Sequence, residues 1–106
     1  CEGRAALLTG FIDHGNIWTK REHPSIPHDR FFLNSKAGGG TNIEVRLTPE
    51  IADAVIEQIR AHKVEEPVYI IGKLQTEKMP TLGDCYNGLI LEVNKAKNVS
   101  FSPLSR

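Results

Sequence analysis

The stretch Val68-Tyr69-Ile70-Ile71-Gly72-Lys73-Leu74-Gln75-Thr76 limits what this chain can fold into more than any other. A strand sends successive side chains to opposite faces. Val68, Ile70 and Leu74 therefore share one face, and Tyr69, Ile71, Lys73 and Gln75 share the other. The first set suits a core. The second mixes a ring, an aliphatic group, a cation and an amide, so its surroundings decide the function. Gly72 interrupts the run and kinks the strand.

The flanking segments give this strand a context. Thr41-Asn42-Ile43-Glu44-Val45-Arg46-Leu47 alternates as well, with Ile43, Val45 and Leu47 on the core side. Thr48 is suited to cap a helix, Pro49 to occupy its first position, and Glu50 to face the positive end of its dipole. Ile51, Ala52, Val55, Ile56 and Ile59 form one apolar stripe, and Arg60, His62 and Lys63 suit the last turn. Pro67 ends the connection to the strand at 68–76. Leu89-Ile90-Leu91-Glu92-Val93 is the last strong strand.

Toward the N-terminus, residues 5–12 read as a strand with a bend at Gly10. Asp13-His14-Gly15-Asn16 is a turn signal, and Ile17-Trp18-Thr19 reads as the start of a return strand. Pro24 and Pro27 make 20–29 a loop or an edge. Arg30-Phe31-Phe32-Leu33-Asn34 is a short strand, and Lys36-Ala37-Gly38-Gly39-Gly40 a loop tip. Residues 78–88 form a loop rich in turn residues. In the irregular tail, Val99 and Phe101 either extend a strand or cover the end of the core. The fold class is mainly β: a five-stranded barrel with one α-helix between strands three and four, in a single domain over 1–106.

The composition narrows the function. Hydrophobic residues make up 40% of the chain, enough for a core. No apolar run approaches the roughly 20 residues that span a bilayer, so a membrane partner is not expected. Lys plus Arg and Asp plus Glu both total 13, so the formal charge is zero. Strong nucleic-acid binders usually carry a basic excess, so any binding here relies on a local cationic stripe. Cys1 and Cys85 are too far apart for a zinc motif, and one lies at the terminus. A start at Cys1 is read as a fragment of a longer protein, and the compartment stays open.

The order Val68-Tyr69-Ile70, Gly72, Leu74, Thr76 resembles the fourth strand of bacterial and mitochondrial single-stranded DNA-binding proteins. The strand 41–47 running into the helix at Pro49, Leu7-Leu8-Thr9-Gly10 near the start and Leu89-Ile90-Leu91-Glu92-Val93 near the end have the same placement. The resemblance spans most of the chain, with 68–76 its distinctive part. It extends to the barrel domains of kinetoplastid mitochondrial RNA-editing complexes, which serve largely as assembly modules. It implies an oligonucleotide-binding (OB) fold, an intracellular setting such as a mitochondrion or bacterial cytoplasm, and assembly with other OB-fold subunits as a homo- or hetero-oligomer. It also implies single-stranded DNA or RNA laid across a barrel face by aromatic and basic residues.

The candidate contacts follow. Trp18 is suited to stack on a base, with Lys20 and Arg21 on phosphate; the alternative is a half-buried hydrophobic residue. Arg30 adjoins Phe31 and Phe32, which point to opposite faces, one of them into the core. Phe31 is taken as the stacking ring. Arg46 is expected beside the fourth strand, where Tyr69 offers a platform and Lys73 a phosphate contact. Lys78 completes the basic set. Tyr69, Ile71 and Gln75 form an alternative protein interface, because an exposed isoleucine beside a tyrosine favours a covering partner. His14, His23, His28 and His62 match no metal-ligand spacing, and no phosphate loop or nucleophile motif is present. A non-enzymatic domain without metal or cofactor is expected.

Overall fold

The computed structural model describes residues 4–76 and 89–102. Five strands close into a barrel: β1 (Arg4–Trp18), β2 (Asp29–Lys36), β3 (Gly39–Leu47), β4 (Val68–Thr76) and β5 (Leu89–Val93). The order around the barrel is β1-β2-β3-β5-β4, and β4 pairs back with β1. Only β3 and β5 run parallel. Helix α1 (Pro49–Ala61) and β4 lie between them in sequence, as a parallel crossover requires. The architecture is mainly β, an OB-fold-like five-stranded barrel with one helix between strands three and four. A 3-10 turn (Ala96–Asn98) leads into β6 (Val99–Ser100), which adds to β4.

Closure depends on β1 serving two neighbours. Its first half pairs with β4, from Arg4 opposite Leu74 to Gly10 opposite Val68. Its second half pairs with β2, with Ile12 opposite Leu33 and Ile17 opposite Phe31. Residues 13–16 of β1 thus bulge out against Phe32 alone. The turn chemistry of 13–16 predicts a reversal with Ile17 on a return strand. The chain instead continues in the same direction. The Gly15 N–H donates to Asp13 Oδ1 at 3.0 Å, a local turn that bends the strand without reversing it. The bulge has a packing reason. Ile12 and Ile17 are an odd number of residues apart, so strict alternation would put them on opposite faces, yet both are buried in the core.

Two glycines let the strands approach. A Cβ on Gly10 would lie 2.5 Å from the Asn34 carbonyl oxygen, and one on Gly72 would lie 2.7 Å from Leu91 Cγ and 2.8 Å from the Glu92 carbonyl oxygen. Gly72 has the inward parity of Val68, Ile70 and Leu74, so its missing side chain makes room inside the barrel. The glycines of 38–40 form the tip of the β2–β3 hairpin, where Lys36 pairs with Gly39.

The core is the inward set: Phe31, Val45, Val68, Ile70, Leu91 and Val93 from the strands, with Val55 and Ile59 from the helix, all essentially without solvent contact. The helix covers one end of the barrel with Ile51, Ala52, Val55, Ile56 and Ile59, the predicted stripe. Thr48 stands at the N-cap, but its hydroxyl makes no capping bond. Its N–H instead donates to the Val93 carbonyl, tying the helix start to β5. After the helix, the His62 ring lies 4.3 Å from that of Phe101, which packs against the core. Val99 pairs with Ile70, so the tail both extends the sheet and covers the core.

Gly72→Ala is expected to destabilise the fold by about 1–3 kcal/mol, because the added methyl meets backbone as well as a packed leucine. Urea denaturation should show a lower midpoint with an unchanged slope.

Candidate functional site

Residues directly paired across strands share a face, so the register assembles the outer surface. Trp18 pairs with Arg30, Arg30 with Arg46, Arg46 with Glu92, and Glu92 with Lys73. This is one lateral row across β1, β2, β3, β5 and β4. The next row holds Phe32, Glu44, Ile90 and Gln75. At a strand spacing of about 4.8 Å, Trp18 and Arg46 lie on the order of 10 Å apart.

Trp18 is the one large hydrophobic side chain left exposed among the described residues, at 36%. Its ring meets that of His23 at a centroid distance of 4.7 Å. The loop between β1 and β2 arranges this contact, with the His23 N–H donating to the Thr19 carbonyl at 2.8 Å. The same loop is held to the barrel where the Lys20 N–H donates to Asp29 Oδ1 at 2.8 Å. Across β2 from Trp18, Arg46 donates its Nε–H to Glu44, and Arg30 Nη1 lies 3.8 Å from the same carboxylate. The Nε of Arg30 is buried and has no hydrogen-bond partner.

Several expected positions change. Phe31 is fully buried between Ile17 and Val45, so it belongs to the core and cannot stack on a ligand. Its neighbour Phe32 takes the outward position, half-buried beside Glu44. Arg46 does not neighbour the fourth strand, because β5 runs between β3 and β4. Tyr69 therefore lies apart from the arginines, opposite Thr9 and Ser100, while Ile71 lies opposite Leu7. Lys73 and Gln75 pair instead with Glu92 and Ile90 of β5. Ile90 escaped the sequence reading. It takes the outward parity of β5 yet is buried and stands outside the core cluster. Its parity depends on the parallel β3–β5 register, which no local pattern announces.

Arg21 turns to the helix, with Nη2 3.3 Å from Asp53 Oδ2, a pair about four-fifths exposed on each side. Glu22 accepts hydrogen bonds from Arg60 and from the Thr19 hydroxyl, fastening the β1–β2 loop across α1. Lys20 is exposed, and Lys78 lies outside the described residues. Among the described residues, no cluster of three His, Cys, Asp or Glu is arranged to hold a metal ion. No helix there is long and apolar enough to cross a membrane. Compared with protein-family models, with curated proteins and with solved structures, the chain finds no match in any of the three.

The Arg60 hydrogen bond, with that of Thr19, holds the Glu22 carboxyl below its usual 4.5. A lowered folded value means this contact stabilises the loop above about that pH and is lost as pH falls through the folded value. Carboxyl NMR titration should place the Glu22 midpoint below 4.5 in the parent chain and return it toward 4.5 in Arg60→Ala. An unshifted midpoint in the parent would remove the loop–helix contact from solution.

Proposed function

We propose that this chain is a non-enzymatic OB-fold domain that binds single-stranded nucleic acid, DNA or RNA, within a larger assembly. The supporting observation is the outer row of Trp18, Arg30 and Arg46 on three neighbouring strands, with Phe32 one pair further along. In OB folds the outer face around strands two and three is where oligonucleotides lie. Here that face combines what a single strand needs. Trp18, backed by His23, offers a stacking surface, Phe32 offers a second ring edge, and the two guanidiniums offer phosphate contacts. Zero net charge does not oppose this reading, because Arg30 and Arg46 stand side by side on this face. Stacking and phosphate contact do not discriminate between the two sugars, so the reading covers DNA or RNA.

A second reading draws on the Leu7–Ile71 pair. Two aliphatic side chains opposite one another on the outside of the barrel, with Tyr69 next along β4, suit contact with another subunit. The two patches lie on opposite halves of β1, so one domain can use both: nucleic acid on the β1–β2–β3 side, protein on the β1–β4 side.

Fluorescence anisotropy with a labelled single-stranded oligonucleotide should show micromolar binding at low salt that weakens steeply as salt rises. Trp18→Ala should weaken it by about 1–3 kcal/mol. No binding at low salt would exclude autonomous binding. For the second reading, Ile71→Asp should lower the molar mass seen by light scattering, or abolish capture of a partner subunit, while leaving oligonucleotide affinity intact. Loss of oligonucleotide binding in Ile71→Asp would instead merge the two patches into one.

A further inference from the structure

Arg30 and Arg46 stand directly opposite each other across β2 and β3. Like charges so placed repel. Glu44 precedes Arg46 by two residues on the same face and lies between the two cations. It divides itself unequally. Arg46 donates a hydrogen bond to it, whereas Arg30 comes only to 3.8 Å, beyond hydrogen-bond length. The three side chains are largely withdrawn from solvent, at 28% exposed for Arg30, 18% for Glu44 and 19% for Arg46. Charges so placed act on one another more strongly than in open water.

Resting on the nucleic-acid reading above, we propose that Arg30 is the phosphate-docking cation of this face and that Glu44 is a built-in competitor for it. The terminal N–H groups of a guanidinium form a fork that matches two oxygens of a phosphodiester. Arg30, which Glu44 approaches only to 3.8 Å, is the less tightly held of the two guanidiniums. An incoming phosphate carries one negative charge, as Glu44 does, and takes Arg30 while Glu44 stays with Arg46. One carboxylate shared by two cations becomes two separate ion pairs. In the empty state Glu44 offsets one of the two charges of the arginine pair. In the bound state its charge still opposes the strand, so it holds the affinity down. The result is a face that grips a polyanion and releases it readily, in a chain with no overall basic excess to drive tight binding.

Glu44→Gln tests this, because the amide oxygen still accepts from Arg46 while the negative charge is gone. In anisotropy titrations at low salt with a labelled oligothymidylate of about 16 nucleotides, Glu44→Gln should bind about three- to tenfold more tightly than the parent chain. Arg30→Lys keeps the charge but lacks the planar fork. It should bind several-fold more weakly and should erase most of the gain when combined with Glu44→Gln. Circular-dichroism melting checks that each variant is folded. If the parent binds and Glu44→Gln binds equally or less well, Glu44 is a clamp and not a competitor. Unchanged affinity in Arg30→Lys, read independently of any Glu44 variant, overturns the assignment of Arg30. If the parent and Glu44→Gln both fail to bind at low salt, the nucleic-acid reading itself falls, and this proposal with it.

Discussion

The double pairing of β1 holds this structure together. A single strand hydrogen-bonds to β4 through its first half and to β2 through its second, and without that hand-over the five strands would remain an open sheet. Two local features permit it. The bulge at 13–16 changes the parity of the strand so that Ile12 and Ile17 both reach the core. Gly10 and Gly72 leave no Cβ where neighbouring backbone passes within contact distance. Once the barrel is closed, α1 covers one end, and its start is fixed by the Thr48 bond to β5. The outer face then follows from register alone.

That register assembles the candidate site from strands distant in sequence. Trp18, Arg30 and Arg46 come together because β1, β2 and β3 are consecutive antiparallel neighbours. Glu92 and Lys73 join the same row only through the parallel β3–β5 pairing and the β4–β5 ladder. The sum is a mixed-charge surface in which Glu44 moderates two arginines and a tryptophan remains exposed at the margin. On the proposed reading, such a surface suits modest, salt-sensitive recognition of a polyanion over permanent coating.

Much of the fold was legible because local chemistry and global position agree. Pro49 and the Ile51–Ile59 spacing mark the helix wherever the chain goes. The alternation in 41–47 and 68–76 marks inward residues whichever strands pair with them. The bulge was misread because Asp13 and Gly15 carry turn chemistry that serves a reversal and a bend equally well. What separates the two is whether Ile17 must reach the same core as Ile12, and that is a tertiary fact. Phe31 and Phe32 show the same limit, since adjacency guarantees opposite faces but not which face is inside. The site was legible in its residue types and not in its grouping. Tyr69 and Arg46 sit on strands that look like neighbours in order, with only the helix and its connections between them. The final strand, β5, inserts between them and carries Ile90 and Glu92 into the row.

The most direct test of the outer β1–β2–β3 face is a nitrogen–proton correlation spectrum of the labelled chain, titrated with a short single-stranded oligonucleotide at low salt. The shifts should concentrate on the Trp18 indole and on the amides around Arg30, Phe32 and Arg46, leaving Leu7, Tyr69 and Ile71 in place. Shifts centred on Leu7, Tyr69 and Ile71, or no shifts at all, would contradict it.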